Sequence, residues 1–220
     1  MRESIAIPLQ QWNNSVETVN EIIIIGGGGH ARVVADCLFS RQDPVKGFCA
    51  LEKSSVLTLP YLGVFNKDKY AQEKLVAAIG DNLTRKKIGE ELELGRFINV
   101  VHSSAIVSPF VTMGVGCMIL HGTIIQPMTR LGNHVIINTG SCVDHDCTIG
   151  DYVHVAPGAV LGGEVKVGEG ALIGAGASIL RGVKIGAWAA VGLGAVVIKD
   201  IPDYAVAVGN PAHVKSFRKP

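Results

Sequence analysis

The sequence predicts a small α/β domain followed by a parallel β-solenoid, and three observations carry that reading. The second half repeats every six residues. A run of four isoleucines near the start feeds a glycine turn. A second short apolar run ends in another glycine turn and leads into an amphipathic segment. The 220 residues suit one large domain or two small ones, and a hydrophobic content of 48% excludes disorder. Glycine accounts for 27 residues without a three-residue period, which excludes a collagen.

The repeat fixes most of the chain. Read in steps of six from Val101, seventeen consecutive blocks open on an aliphatic residue, the last on Val197. The fifth residue of each block is never charged or aromatic, and glycine takes the second place in eight blocks, from Gly114 to Gly192. A period of six matches neither a helix nor simple strand alternation. It fits flat faces joined by corners, with the first residue inward, the small fifth residue packed beside it, and glycine near the corner to tolerate positive φ. An ordinary glycine-rich antiparallel sheet would not hold one phase over seventeen blocks.

Ahead of the repeat, Ile22–Ile25 reads as a buried parallel strand. GGGGHARVVADCL follows, and Gly26, Gly28 and Ala31 match G-x-G-x-x-A at a strand-to-helix turn, where glycine lets the backbone approach a phosphate. A nicotinamide dinucleotide would also want an acid about 20 residues on. The stretch Gly47 to Leu51 has none, and Glu52 is a poor substitute. Leu75 to Ile79 forms the second apolar run, ending in Gly80-Asp81-Asn82. Residues 83–94 then read as a helix with Leu83, Ile88 and Leu92 on its apolar side, stopped by Gly95. The expected organisation is an extension over 1–20, a βαβ-type, Rossmann-like domain over 21–100, the solenoid over 101–200 and a tail over 201–220. No linker rich in Pro or Ser separates the two main parts, so they should pack rigidly.

Charge and cysteines bound the partners. Twenty Lys+Arg against nineteen Asp+Glu leave a net charge of +1, which argues against nucleic acid or an anionic membrane surface as partner. No apolar run approaches the ~18 residues of a membrane span. Five cysteines without a CxxC pair, behind an N-terminus with no apolar signal core, predict reduced thiols in the cytoplasm.

Four of the seven histidines, His102, His121, His134 and His213, read as surface residues without a role. VDHDCTIGDYVH differs: it packs Asp144, His145, Asp146 and His154 into eleven residues. A zinc site there is disfavoured, because strand neighbours point to opposite faces and no Cys or second His shares the face of His145. Cys147 takes a fifth position and should point inward.

The repeat resembles the hexapeptide-repeat, left-handed parallel β-helix of acyltransferases. In that fold three blocks make a turn, so seventeen give five to six turns and residues eighteen apart stack. Gly163 then lies above His145 and leaves space beside it. GGGGH, IGDNxxR (Ile79 to Arg85), INTGSCVDHDCTIGDYVHVAPGAVLGG and GNPA together resemble the bacterial sugar O-/N-acetyltransferases grouped with sialic acid O-acetyltransferases. The nearest members acetylate the 4-amino group of nucleotide-linked 4-amino-4,6-dideoxy sugars. The resemblance implies a homotrimer with sites in the grooves between helices, acetyl-CoA as co-substrate and no metal. It implies His145 as general base, with Asp146 raising its basicity and Asn138 holding the reacting groups. His154 and the backbone near Gly163 would meet the acetyl thioester, and Ala175 and Leu193 the pantetheine arm. Gly28, Gly29 and His30, with the loop at Gly80, would hold a nucleotide-sugar diphosphate and uridine. One departure stands out: where the family often has two acids after the second strand, this chain has Ala50 and Leu51. A sugar O-acetyltransferase and a non-catalytic sugar-nucleotide-binding module are the alternative readings.

Overall fold

The computed structural model describes residues 7–8, 21–55 and 57–218. Apart from the strand β1 (Ile7–Pro8), the extension expected over 1–20 lies outside the described residues. Among the described residues, β2 (Ile22–Ile25), β3 (Val45–Cys49) and β4 (Lys74–Ala77) form a parallel sheet in the order β3-β2-β4. Helix α1 (Gly29–Ser40) connects β2 to β3 and buries Ala31, Val34, Ala35, Cys37 and Leu38. All four isoleucines of β2 are buried, as expected of a central strand covered on both faces.

The repeat builds a left-handed β-helix of about six turns. Each block contributes a two-residue strand at its sixth and first positions, and strands eighteen residues apart pair in parallel: Arg130 with Thr148, Lys166 with Lys184, Val143 with Leu161. A first face runs from Val100–Val101 through His154–Val155 to Ala190–Val191, a second from Ile106–Val107 through Cys142–Val143 to Val196–Val197, and a third from Thr112–Met113 to Lys184–Ile185. First- and fifth-position side chains fill one continuous core. The stack is extended on one face at each end: β1 pairs antiparallel with Thr112–Met113 of the third face, and a C-terminal hairpin (Ala205–Gly209, Ala212–Phe217) continues the first face.

Two corrections concern how the corners and the second helix are made. The residues with positive φ stand at the fourth position of the block, as at His134 (φ 54°) and Asp146 (φ 59°), not at the second. The second-position glycines answer to crowding instead: a Cβ at Gly132 would lie 2.2 Å from Asp151 Oδ1 in the next turn. Helix α2 (Asn82–Glu91) begins one residue early, because the Asp81 carboxylate caps it by accepting from Thr84 N at 2.8 Å. It ends before Gly95, which falls in a 3-10 turn, and it buries Arg85 and Gly89 while Leu83 is half exposed. A Cβ at Gly89 would come within 2.9 Å of His134 Nε2 and Tyr152 Oη, so the helix meets the solenoid through a residue without a side chain.

The α/β part and the lower turns of the first face share one core, in which Val100, Met118, Leu120 and Ile136 pack with Ile22, Ile24, Leu38 and Phe48. This apolar seam holds the glycine turn of α1 and the Gly80 loop in a fixed place beside the solenoid.

Candidate active site

Two groups of the expected site residues stand on different edges of the prism. The first is the corner between the second and third faces. Asp144 Oδ1 accepts from the His145 backbone N–H at 2.8 Å, and His145 Nδ1 lies 2.8 Å from Asp146 Oδ2. The corner is anchored from inside: Thr129, a buried fifth-position residue, donates its hydroxyl to Asp144 O at 2.7 Å. Gly163 does lie one turn above His145, but the imidazole itself fills the space. A Cβ at 163 would sit 2.7 Å from both His145 Cε1 and Nε2. The side chain of His145 is 44% exposed, so the ring is fixed yet open to a ligand. Cys147 points into the core, donates to Gly162 O at 3.3 Å and is pushed up to about 11 by burial, which leaves it a protonated thiol near neutral pH.

The second group stands where α2 and the Gly80 loop meet the first face. His154 Nδ1 lies 3.3 Å from Gly80 O and its Nε2 3.0 Å from Asn138 Nδ2. Asn138 Oδ1 accepts from Thr139 N at 2.8 Å, so Nδ2 is the amide atom facing His154. The His30 ring packs 6.2 Å from that of His154, and both are lowered to about 4, chiefly by burial. Buried fifth-position hydroxyls again steady the turn, Ser141 donating to Asn138 O at 2.6 Å. Ala175 and Leu193 stack on the edge between the first and second faces, further along the corner that carries Asn138, joined by Gly194 N donating to Ala175 O at 2.9 Å.

A cleft of about 980 Å³ opens on the α/β part, with Gly28, Gly29, His30, Ala50, Leu51 and Gly80 in its wall. Gly26 (φ 134°) turns the chain off β2 where a Cβ would strike Ala78 O at 2.6 Å. At Gly28 and Gly29, by contrast, a Cβ would meet nothing within 4 Å. The open side is the α1 N-terminus, whose Gly28 cap has no side chain to satisfy the first amides, an arrangement that suits an anion. A second groove of about 790 Å³ lies across α2, with Lys86, His154, Trp188 and Tyr204 in its wall, and Gly80 borders both.

Three residues take places that differ from, or go beyond, the sequence expectation. His134, expected at the surface, is fully buried between the Tyr152 ring (5.3 Å, nearly parallel) and the Phe97 ring (4.5 Å, edge-on). It fits because Gly89 and Gly116 leave it room. His121 is also not idle: its Nε2 lies 2.7 Å from Asp36 Oδ2 and its ring stacks on His102 at 3.7 Å, tying α1 to the first turns. Asp36, His102 and His121 bring three ligand atoms within 4.8 Å of one another, with the two rings stacked at a 28° tilt. Arg85, present in the sequence only as the end of a motif, is the largest completely buried side chain among the described residues.

Residues 21–92 match the PglD N-terminal domain, and residues 128–163 match the bacterial transferase hexapeptide (six repeats). The chain is similar to a mutant of perosamine N-acetyltransferase from Caulobacter crescentus solved in complex with CoA and GDP-perosamine, at 38% identity over 90% of this chain and 98% of that one, with a TM-score of 0.85. It is similar to the acetyltransferase domain of PglB from Neisseria gonorrhoeae FA1090 in complex with acetyl coenzyme A, at 31% identity over 89% and 98% of the two chains, with a TM-score of 0.80. A curated relative, UDP-N-acetylbacillosamine N-acetyltransferase of Bacillus subtilis (strain 168), is 39% identical over 112 residues, 46% of this chain and 52% of that protein. The match thus spans about half the length of that relative. A hexapeptide β-helix joined to an α/β part with a glycine-walled cleft is the arrangement of a hexapeptide-repeat acyltransferase. The chain belongs to the sugar O-/N-acetyltransferase family of that class, close to the nucleotide-sugar 4-amino N-acetyltransferases. Among the described residues no helix is long and apolar enough to cross a membrane.

Proposed function

We propose that the protein is an acetyl-CoA-dependent N-acetyltransferase acting on the 4-amino group of a nucleotide-linked, in the first instance UDP-linked, 4-amino-4,6-dideoxy sugar. The observation that carries this reading is the accessible His145 imidazole, with Nδ1 held 2.8 Å from Asp146. Its Nδ1 hydrogen is committed to the carboxylate, so Nε2 presents a lone pair. A sugar amine of ordinary basicity is mostly cationic near neutral pH and cannot attack until it sheds a proton. The ammonium first releases one proton to solvent; the free amine nitrogen then attacks the thioester carbonyl, and as the C–N bond forms His145 Nε2 takes a second proton from that nitrogen. As the C–S bond breaks, the imidazolium returns that proton to the departing sulfur. Asp146 stabilises the imidazolium in between. No acyl-enzyme is needed, in keeping with the buried, protonated Cys147.

The cleft supports a nucleotide sugar over a dinucleotide. The open N-terminus of α1 and the bare backbone at Gly28 and Gly29 suit a diphosphate, while Ala50 and Leu51 offer no carboxylate for the ribose that a dinucleotide enzyme would hold. Calorimetry should show a UDP-sugar binding more tightly than NAD, and the reverse order would overturn the assignment.

His145 and the cleft stand apart on one chain, so we assign a homotrimer in which a neighbouring copy brings His145 to the nucleotide sugar. The outward residues of the second face support this: Ile106, Ile124, Cys142, Val160, Ser178 and Val196 are all uncharged, whereas the third face presents Arg130, Lys166 and Lys184. All five cysteines are unpaired, which fits a reducing, cytoplasmic setting. The test is thiol release from acetyl-CoA with UDP-, dTDP- and GDP-linked 4-amino sugars and with free sialic acid. Release with a nucleotide-linked amine is expected. Release only with the hydroxyl acceptor would make the enzyme an O-acetyltransferase, and no release from intact protein would leave a binding module.

A further inference from the structure

Every hydrogen bond of the Arg85 guanidinium goes to a neutral oxygen. Nη1 donates to Ile79 O at 2.9 Å and Gly80 O at 3.3 Å. Nη2 donates to Tyr152 O at 2.7 Å and Asn82 Oδ1 at 2.9 Å, and Nε to His134 O at 2.9 Å. His134 and Tyr152 are eighteen residues apart, at the same corner of successive turns. Asn82 extends the ladder to a third turn by donating to Gly170 O at 3.0 Å and Ala171 O at 3.2 Å. A fully buried cation without a bonded carboxylate is an expensive way to fasten two parts of a protein, and a well-packed apolar side chain would do it at less cost. The charge therefore calls for a consequence beyond fastening, and the Gly80 carbonyl supplies one.

Gly80 O accepts from Arg85 and also faces His154 Nδ1. A carbonyl can only accept, so this contact is a hydrogen bond when His154 carries its proton on Nδ1. The lone pair then sits on Nε2, where Asn138 Nδ2 can donate to it. The order of donors and acceptors is consistent from Arg85 to Gly80, His154 and Asn138. In this order His154 would meet the acetyl thioester without donating to it, because its Nε2 is already an acceptor. Of the two hydrogens on Asn138 Nδ2, one serves His154 and the other is left for a ligand oxygen.

We propose that Arg85 is a positioning residue for acetyl transfer: by pinning the Gly80 carbonyl between the cleft and the solenoid, it fixes His154 as the Nδ1–H tautomer and so aims the Asn138 carboxamide as the donor toward the reacting carbonyl. The assignment rests on the acetyltransferase reading above. Two features support the geometry. Gly80 borders both the nucleotide cleft and the groove that contains His154, so the pinned carbonyl lies between the two. The Arg85 charge also adds to burial in keeping His154 neutral.

The test is long-range ¹H–¹⁵N spectroscopy of the histidine rings in the full ¹⁵N-labelled chain, with His154 assigned by its loss in His154→Gln. The native protein should show the Nδ1–H pattern, and an Nε2–H pattern would overturn the proposal before any Arg85 variant is made. Arg85→Met should mix the tautomers and lower kcat roughly ten-fold, the lower end of what an orienting partner is worth, with KM for acetyl-CoA little changed. Arg85→Lys keeps the charge but loses the planar fork, so it should not restore the tautomer. A folded variant of either kind that keeps the Nδ1–H tautomer, or native kcat, would refute the role. The tautomer measurement needs no substrate, so it separates failure of this proposal from failure of the N-acetyltransferase reading.

Discussion

His145→Ala should lower kcat at least ~10²-fold while leaving KM for acetyl-CoA nearly unchanged, because a general base acts mainly in the transition state. The ring is held on two sides, by Asp146 at 2.8 Å and by the bare Cα of Gly163, yet it remains accessible. The same geometry predicts that Gly163→Ala acts like a partial loss of His145: the new methyl would occupy the place of Cε1 and Nε2 and push the ring off its line. Asp146→Asn should cost less than His145→Ala, since it removes a stabiliser of the imidazolium and leaves the base. The site's two halves also make a prediction about assembly. Mixed oligomers of His145→Ala chains and chains disabled in the Gly28–His30 cleft should regain activity that neither has alone, because an intact corner can then face an intact cleft. Native kcat in a folded His145→Ala oligomer at saturating amino sugar would rule out the proposed base. The proton would then have to leave by water or another residue.

What the sequence made legible follows from where its constraints repeat. The solenoid could be read because the same demand, an aliphatic residue inward with a small one beside it, returns in every block. Stacking of Gly163 on His145 followed from the eighteen-residue turn alone. The second-position glycines are visible in the repeat but their cause is not, since the contact that forbids a side chain at Gly132 is with Asp151 in the next turn. The contacts that the sequence leaves hidden share one origin. Arg85 looks like a solvated charge on an amphipathic helix, and His134 looks like a corner residue of the solenoid. Each is buried by the other's element: Arg85 by the carbonyls of His134 and Tyr152, and His134 by Gly89 and Phe97. No local period encodes a contact between positions 85 and 134. The only trace is a glycine inside α2, which lowers helix propensity and so marks a close approach.

That seam should make the protein sensitive to acid in a defined window. His30, His134 and His154 are each lowered from 6.5 to about 4, with burial as the first cause. The Arg85 charge adds directly for His134 and His154, while for His30 the neighbouring His154 comes before it. In the unfolded chain the same rings take a proton near 6.5. Between those values the unfolded state binds more protons than the native one, so stability rises with pH. The contribution is fully present above about 6.5 and is lost as pH falls toward 4. For His134, buried with neither ring nitrogen hydrogen-bonded, the difference corresponds to a loss of order 3 kcal/mol. The three rings lie in one field, so their effects will not add in full. The lowered carboxyls of Asp81 and Glu73 act in the same direction but in the ordinary carboxylate range or below it, which keeps the histidine window apart. Thermal unfolding followed from pH 8 to pH 5 should show Tm falling steadily below about 6.5. His134→Asn, which tolerates the positive φ of this corner and cannot titrate, should start from a lower Tm at pH 8 and lose less of it on acidification. A native Tm that stays level from pH 8 to pH 5 would mean that these rings are hydrated or already protonated in the fold, and the neutral seam around Arg85 would have to be abandoned.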